Sequence, residues 1–214
     1  MIPNAYTYIW FGPKPLPEEA FGCIASMKNK MPTWQSKFID IHNVKVDDFL
    51  LECFSKKRWT LASNYLRLKE IYEYGGWYFD VDIEILKPLD QFRVQHCVFG
   101  AECHDFVNNG IFGASIGHPL LNDLIEKIKS KPISPHPQQT ATGPRLLTDM
   151  LREDGWEHGD KSQVVSHKGE STIILAKDFF SPYVPTTGEL NITDNTMAIH
   201  HFIKSWGQEP THHD

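Results

Sequence analysis

Apolar positions along this chain fall by turns into short unbroken runs and into helical spacing. Residues 5–11 form an apolar, aromatic run that ends at Gly12-Pro13, the pattern of a buried strand. Pro17-Glu18-Glu19 then opens a helix that runs to about residue 30, with the proline and the acids in the first turn, where the helix dipole favours them. A short strand at 37–41 leads into a helix over about 46–54. From 60 to 74 the helical pattern is strongest. Leu61, Tyr65, Leu68 and Tyr72 recur at helical spacing, Thr60 suits the N-cap, and Gly75 suits the position after the C-cap. Residues 77–79 and 81–86 read as strand, as do 97–102 and 109–115, the last returning beside its predecessor. Amphipathic helices follow at 118–129 and 141–152, separated by a surface loop at 131–138 that carries three prolines. Beyond 154 the pattern supports only short strands around Val164, at 173–175 and at 197–202.

Strands alternating with helices predict an α/β sheet with crossover connections. The 214 residues suit a single domain over 1–214, which could also be one part of a longer polypeptide. Ligands in such sheets bind beyond the carboxyl ends of strands, which places Gly12, Asp40 and Asp80 at one rim. A formal charge of −6 argues against a nucleic-acid surface, which needs a clustered basic face. Cys23, Cys53, Cys97 and Cys103 have neither zinc-site nor C-x-x-C spacing and read as free thiols, which favours a reducing compartment. No apolar run approaches the roughly 18 residues of a transmembrane helix, and no leader pattern opens the chain. The expectation is a cytoplasmic protein of a bacterium or a virus-infected cell.

The candidate chemistry centres on Asp80-Val81-Asp82. It follows Gly75-Gly76 and the aromatic run Trp77-Tyr78-Phe79, and an apolar run closing on Lys87-Pro88 succeeds it. On an extended backbone, carboxylates at i and i+2 point the same way. At the end of a buried strand they would hold one hard divalent cation, Mn²⁺ or Mg²⁺, bridging to substrate phosphates.

Several segments together resemble a known family. Ile2-Pro3 with Tyr8-Ile9-Trp10-Phe11-Gly12, then Leu61-Ala62-Ser63-Asn64-Tyr65-Leu66-Arg67-Leu68, then residues 72–82 are similar to the DXD-motif glycosyltransferases of family 32 and their relatives. Those relatives include yeast Golgi mannosyltransferases, bacterial capsule and lipooligosaccharide transferases and the catalytic domain of large clostridial glucosylating toxins, with similar genes in large DNA viruses. Thr142-Gly143-Pro144 and His200-His201-Phe202-Ile203-Lys204-Ser205-Trp206 agree with the pattern. The resemblance implies a GT-A fold, one nucleotide-sugar-binding domain with a central mixed sheet flanked by helices. It implies a UDP-sugar donor and a hydroxyl acceptor on a glycan, a lipid-linked oligosaccharide or a glycoprotein.

Residue roles follow position by position. Asp82 would be the direct metal ligand, and Asp80 would contact ribose, sugar or the metal through water. His201, or His200 in its place, would be a third ligand, since strand alternation lets only one of the pair face the site. Arg67 matches a sugar-contacting arginine; the competing reading is a structural ion pair with a nearby carboxylate. Trp10 and Phe11 match an aromatic start that stacks on the base, with core packing the alternative, favoured for Phe11. Ser63, Asn64 and Asp40 would contact the donor, as would Asn108 or Asn109, for which a hairpin turn at Asn109-Gly110 is the competing reading. Lys204, Ser205 and Trp206 would close over the diphosphate, with Lys204 or the Trp206 indole N–H donating to the leaving oxygens.

Two positions depart from the family pattern: Asn64 replaces the usual aspartate and Thr7 the usual histidine. They leave the donor sugar open, and with it the retaining outcome the family implies. An inverting reaction would need a general base, for which Glu102, His104 and Asp105 are candidates by position. Competing classes are a sugar nucleotidyltransferase, a metal-dependent phosphohydrolase and a non-catalytic sugar-nucleotide-binding module. Gly12-Pro13-Lys14-Pro15 is too short and stiff to cradle a triphosphate, and the further Asp/His clusters of a two-metal hydrolase are absent from the sequence pattern.

Overall fold

The computed structural model describes residues 1–12, 14–134 and 142–203. A seven-stranded mixed sheet forms its centre, in the spatial order β2-β1-β3-β6-β5-β8-β7. The strands are β1 (Ala5–Trp10), β2 (Gln35–Asp40), β3 (Gly76–Phe79), β5 (Cys97–Ala101), β6 (Val107–Ala114), β7 (Gln163–His167) and β8 (Glu170–Leu175). β1 lies parallel to both β2 and β3, and β5 parallel to β8; β6 runs against β3 and β5, and β7 against β8.

Alternation along the strands sorts the core into two layers. Tyr78, Phe99 and Phe112 face helices α2 (Asp48–Ser55), α3 (Trp59–Tyr74), α4 (Pro119–Lys129) and α5 (Pro144–Glu153). Trp77, Phe79 and Val98 face the opposite layer, which holds α1 (Glu18–Lys30), α6 (Lys177–Phe180) and a small antiparallel pair of β4 (Ile83–Ile85) with β11 (Ala198–His200). A further hairpin joins β9 (Tyr183–Val184) to β10 (Glu189–Leu190).

Gly75 and Gly76 take φ of 67° and 99°, a conformation that disfavours L side chains, and so turn α3 directly into β3. A Cβ on Gly76 would sit 2.7 Å from the Ala5 carbonyl oxygen, so the same glycine lets β3 approach β1. Because β1, β2 and β3 run parallel, Trp10, Asp40 and Asp80 reach one rim, with Trp10 opposite Asp40 in register. Asp40 and Asp80 stand at the rim expected for them, and Gly12 follows β1 just beyond Trp10.

Two elements differ from the sequence reading, and one competing reading is excluded. The strand expected over 81–86 begins only at Ile83, because residues 80–82 form a turn closed by the Ile83 N–H on the Asp80 carbonyl at 3.1 Å. β4 then leaves the main sheet to pair with β11. Asn109-Gly110 lies within β6, in line with the strand expected over 109–115; the competing hairpin turn falls earlier, where the Glu102 N–H reaches the Phe106 carbonyl. Helix α3 begins at Trp59 without a side-chain cap from Thr60, whereas Asp47 caps α2 by accepting from the Leu50 N–H at 2.9 Å. The sequence pattern gave no sign of α6 or of the β9–β10 hairpin.

Candidate active site

Residues 61–68 of α3 are buried all round, the polar Ser63, Asn64 and Arg67 included. A helix whose polar residues are also buried must present them to polar partners inside the protein. Arg67, 3% exposed, finds its partners on the adjoining strands. Its two terminal nitrogens meet Asp80, Nη2 at 3.0 Å from Oδ1 and Nη1 at 3.3 Å from Oδ2. Nη1 also donates to the Asn109 carbonyl, Nη2 to Ser63 Oγ and Nε to the Ser63 carbonyl. The guanidinium lies over the Tyr78 ring, 4.5 Å from its centroid, while the Tyr78 hydroxyl donates to Asp80 Oδ1 at 2.6 Å. All three nitrogens of Arg67 are thus engaged by protein acceptors, and the side chain fixes Asp80. Of its two sequence readings, this geometry is that of the ion pair.

Asp80 and Asp82 do not converge by strand alternation, as the sequence suggested; the turn at 80–83 brings them together. With His200 they place one ligand atom each within 4.8 Å of one another. Asp82 is buried, accepts from the Ile203 N–H at Oδ2 (2.9 Å) and faces His200 Nε2 at 3.4 Å through Oδ1. Burial pushes its carboxyl up, but His200 and the Ile203 N–H outweigh burial and hold it below the usual carboxylate range.

Asn108 orients His200. Its Oδ1 accepts from the Gly110 N–H at 2.6 Å, which directs its amide group to Ser181 Oγ (3.1 Å) and to His200 Nδ1 (2.9 Å). A donor at Nδ1 leaves the ring proton on Nε2, facing Asp82. The carboxylates therefore offer the free lone pairs of this cluster. Two carboxylates on a half-open cleft fit a hard Mn²⁺ or Mg²⁺ ion.

Gly110 makes the convergence possible, since a Cβ there would lie 2.6 Å from Asp80 Oδ2 and 3.1 Å from both Asn108 Oδ1 and His200 Cε1. The cleft has a volume of about 410 Å³, and Asp80, Asp82, Glu102, Asn109, His200 and Ile203 are among its lining residues. Glu102 is shifted upward there, chiefly by burial and further by Asp80, with His200 opposing.

The remaining sequence candidates are distributed as follows. Asn109 lines the cleft, and its amide donates to Asn64 Oδ1 at 3.3 Å, while the Asn64 amide reaches Thr142 Oγ1 at 3.3 Å. Trp10 stands half-buried at the rim, its indole N–H donating to the Lys14 carbonyl at 2.8 Å. Phe11, in contrast, is a core residue 2% exposed, edge-on to Phe54, so no base stacks on it. Asp40 turns back on its own loop, accepting from the His42 and Asn43 N–H groups through Oδ1. His201 is not brought to the carboxylates. It points out of the opposite side of β11, where its Nε2 meets Glu84 Oε2 at 2.9 Å in a separate groove. His104 and Asp105 also lie away from the cleft, beside Asp160 and Arg152 respectively. Lys204, Ser205 and Trp206 lie outside the described residues. Sequence reasoning passed over Gly110 as a possible turn and missed Tyr78 and Ser181. The first two stand next to quoted motif residues, whereas nothing in the sequence marks Ser181.

Residues 17–99, which carry Arg67, Asp80 and Asp82, match the family model of a glycosyltransferase sugar-binding region containing a DXD motif. That stretch of the chain is similar to the DXD-containing region of these glycosyltransferases. The human alpha-1,4-N-acetylglucosaminyltransferase is 30% identical to this chain over 102 residues, 46% of this chain and 27% of the relative. The match therefore spans about a quarter of that relative's length. Among solved structures, the PaToxG glycosyltransferase superposes with a TM-score of 0.54 at 15% identity, covering 72% of this chain and 69% of that one. A glycosyltransferase involved in the glycosylation of the major capsid of PBCV-1 gives a TM-score of 0.47 at 10% identity, covering 92% and 93%. The likeness to PaToxG establishes the fold, and the DXD region sits in the α/β GT-A arrangement expected from the sequence. Cleft residues Asn109 and His200 fall outside the matched region and join it only in three dimensions. Among the described residues, no helix is long and apolar enough to cross a membrane.

Proposed function

We propose that this chain transfers a sugar from a nucleoside diphosphate donor, a UDP-sugar first, to a hydroxyl of a glycan, lipid-linked or glycoprotein acceptor. The observation that carries the reading is the convergence of Asp80 and Asp82, inside a DXD glycosyltransferase region, on one cleft at the carboxyl rim of parallel strands. Asp82 and Asp80 would hold Mn²⁺ or Mg²⁺, with His200 beside them. The bound ion supplies Lewis acidity and offsets the negative charge of the departing diphosphate.

The chain's own residues do the rest. Arg67, locked under Asp80 by Ser63 and Tyr78, keeps that carboxylate aimed into the cleft and lowers the cost of holding two acids close together. His200, oriented by Asn108, stands 3.4 Å from Asp82 Oδ1 and would help hold that carboxylate in place. Trp10, at the rim opposite Asp40, would stack on the base, as the resemblance implies, a contact worth roughly 1–3 kcal/mol. Asn109, which lines the cleft, would contact the donor sugar, with Asn64 accepting from its amide behind it. Lys204 or the Trp206 indole N–H, in the segment after Ile203, would donate to the leaving oxygens, as the resemblance implies. Retention of configuration is the outcome that resemblance favours. Glu102, shifted upward in the cleft, is the proton acceptor available to an inverting reaction.

The test is Asp82→Ala, assayed for UDP release from a panel of UDP-sugars with Mn²⁺ and with chelator, with thermal shift as a measure of donor binding. Loss of turnover and of metal-dependent stabilisation, with the circular dichroism spectrum unchanged, is the expected result. Undiminished turnover in the variant under chelator would sink the proposal.

A further inference from the structure

We propose that His104, His158 and Asp160 form a second cation site, apart from the cleft and selective for a transition-metal dication such as Zn²⁺. His104 Nδ1 stands 2.7 Å and His158 Nδ1 3.9 Å from the same atom, Asp160 Oδ2. One ligand atom from each of the three residues lies within 4.8 Å of the others, and the two imidazoles stack with centroids 5.1 Å apart and planes at 12°. Bonds of about 2.0–2.2 Å in a tetrahedral zinc site put neighbouring ligand atoms roughly 3.3–3.5 Å apart. The two separations from Asp160 Oδ2 fall on either side of that value, each within 1 Å of it.

The other carboxylate oxygen is already occupied, because Asp160 Oδ1 pairs with Lys177 Nζ at 3.0 Å, which leaves Oδ2 as a single-oxygen ligand. The backbone beneath is fixed from both sides. The Gly159 N–H donates to the His104 carbonyl at 2.9 Å, and the Gly159 carbonyl accepts from the Lys177 N–H at 2.9 Å. A Cβ on Gly159 would lie 2.1 Å from the Cys103 carbonyl oxygen, so a glycine between the two ligands lets the loops meet. An arriving ion would displace two contacts, the short His104 Nδ1–Asp160 Oδ2 hydrogen bond, whose proton it would release, and the long 3.3 Å Asp160 N–H bond to His158 Nδ1.

Two imidazoles and one carboxylate match zinc or copper, whereas Mg²⁺ and Mn²⁺ favour all-oxygen sets. Side-chain exposures of 58%, 32% and 45% for His104, His158 and Asp160 leave an open coordination position for water and a path of entry. An ion here would tie the 102–106 turn, which begins at the cleft residue Glu102, to the loop preceding β7.

The test compares tag-free wild type with His104→Ala/His158→Ala, by calorimetric titration with Zn²⁺ and visible absorption with Co²⁺. Because both side chains are exposed, the variant should match wild type in circular dichroism and melting temperature. The proposal expects the variant to lose one Zn²⁺ equivalent, or to bind it at least tenfold more weakly, and to lose the d–d bands of four-coordinate Co²⁺, with Mn²⁺ titrations identical in both proteins. Superimposable Zn²⁺ isotherms, or four-coordinate Co²⁺ bands that persist in the variant, overturn it.

Discussion

Replacing Gly110 with alanine tests the geometry of the cleft without touching any ionisable group. The new Cβ would arrive 2.6 Å from Asp80 Oδ2, where ordinary contact begins at 3.4 Å, so the carboxylate must retreat by about 0.8 Å or β6 must move. Retreat is opposed by Arg67 and by the Tyr78 hydroxyl, which grip Asp80. Overpacking of this kind costs about 1–3 kcal/mol, a melting-point drop of roughly 2–12 °C for a domain of this size. A functional site tolerates displacement of only about 0.5 Å, and disturbing the support of a metal ligand typically costs 10–100-fold in metal affinity. The variant should therefore stay folded at 25 °C while Mn²⁺ affinity and UDP-sugar hydrolysis fall together by that factor. Calorimetric Mn²⁺ titration and a UDP-release assay measure both quantities. Gly22→Ala is the control. Its Cβ meets nothing within 4 Å and it sits inside α1, so it should gain about 0.5–1 kcal/mol and leave activity unchanged. Metal affinity and turnover within twofold of wild type in Gly110→Ala would refute the claim that this glycine makes room for Asp80.

Arg67→Ala removes one side of a buried ion pair, which costs about 3–5 kcal/mol in general and the lower end here, because Asp80 remains 21% exposed. Urea denaturation would measure it, and a loss under 1 kcal/mol would contradict the role assigned to Arg67. The Asp47 carboxyl ties α2 to α3: burial pushes it up, but Lys69, Tyr65 and the Leu50 N–H outweigh burial and hold it below its ordinary value. Its contribution is therefore fully present above about pH 4 and is lost as pH falls through the lower folded-state value. Asp47→Asn should melt roughly 2–4 °C below wild type at pH 7, from a loss of about 1 kcal/mol, with the gap closing below pH 4 in thermal scans; a gap that stays constant with pH would refute the linkage.

The sequence alone determined the features that depend on near neighbours in the chain. Hydrophobic spacing at Leu61, Tyr65 and Leu68 specified α3, and the Gly75-Gly76 break specified its end, because both follow from local backbone and burial rules. Alternating strands and helices specified the α/β class, and the D-x-D with its aromatic flank located the cleft. Tertiary structure decided which side chains meet there. Adjacent residues on an extended backbone face opposite ways, and a sequence cannot say which of His200, at the end of β11, and His201, just past it, faces the acids until β11 has paired with β4. Arg67 could equally have faced a ligand or a carboxylate; packing α3 against β3 and β6 brought Asp80, Ser63 and the Asn109 carbonyl to it. Phe11 and Trp10 carry the same aromatic signal, yet strand alternation buried one and left the other at the rim. Gly110 became significant only once Asp80, Asn108 and His200, up to 120 residues apart in the chain, had to share the space above it. Steric exclusion and charge pairing act between surfaces that only the fold brings into contact.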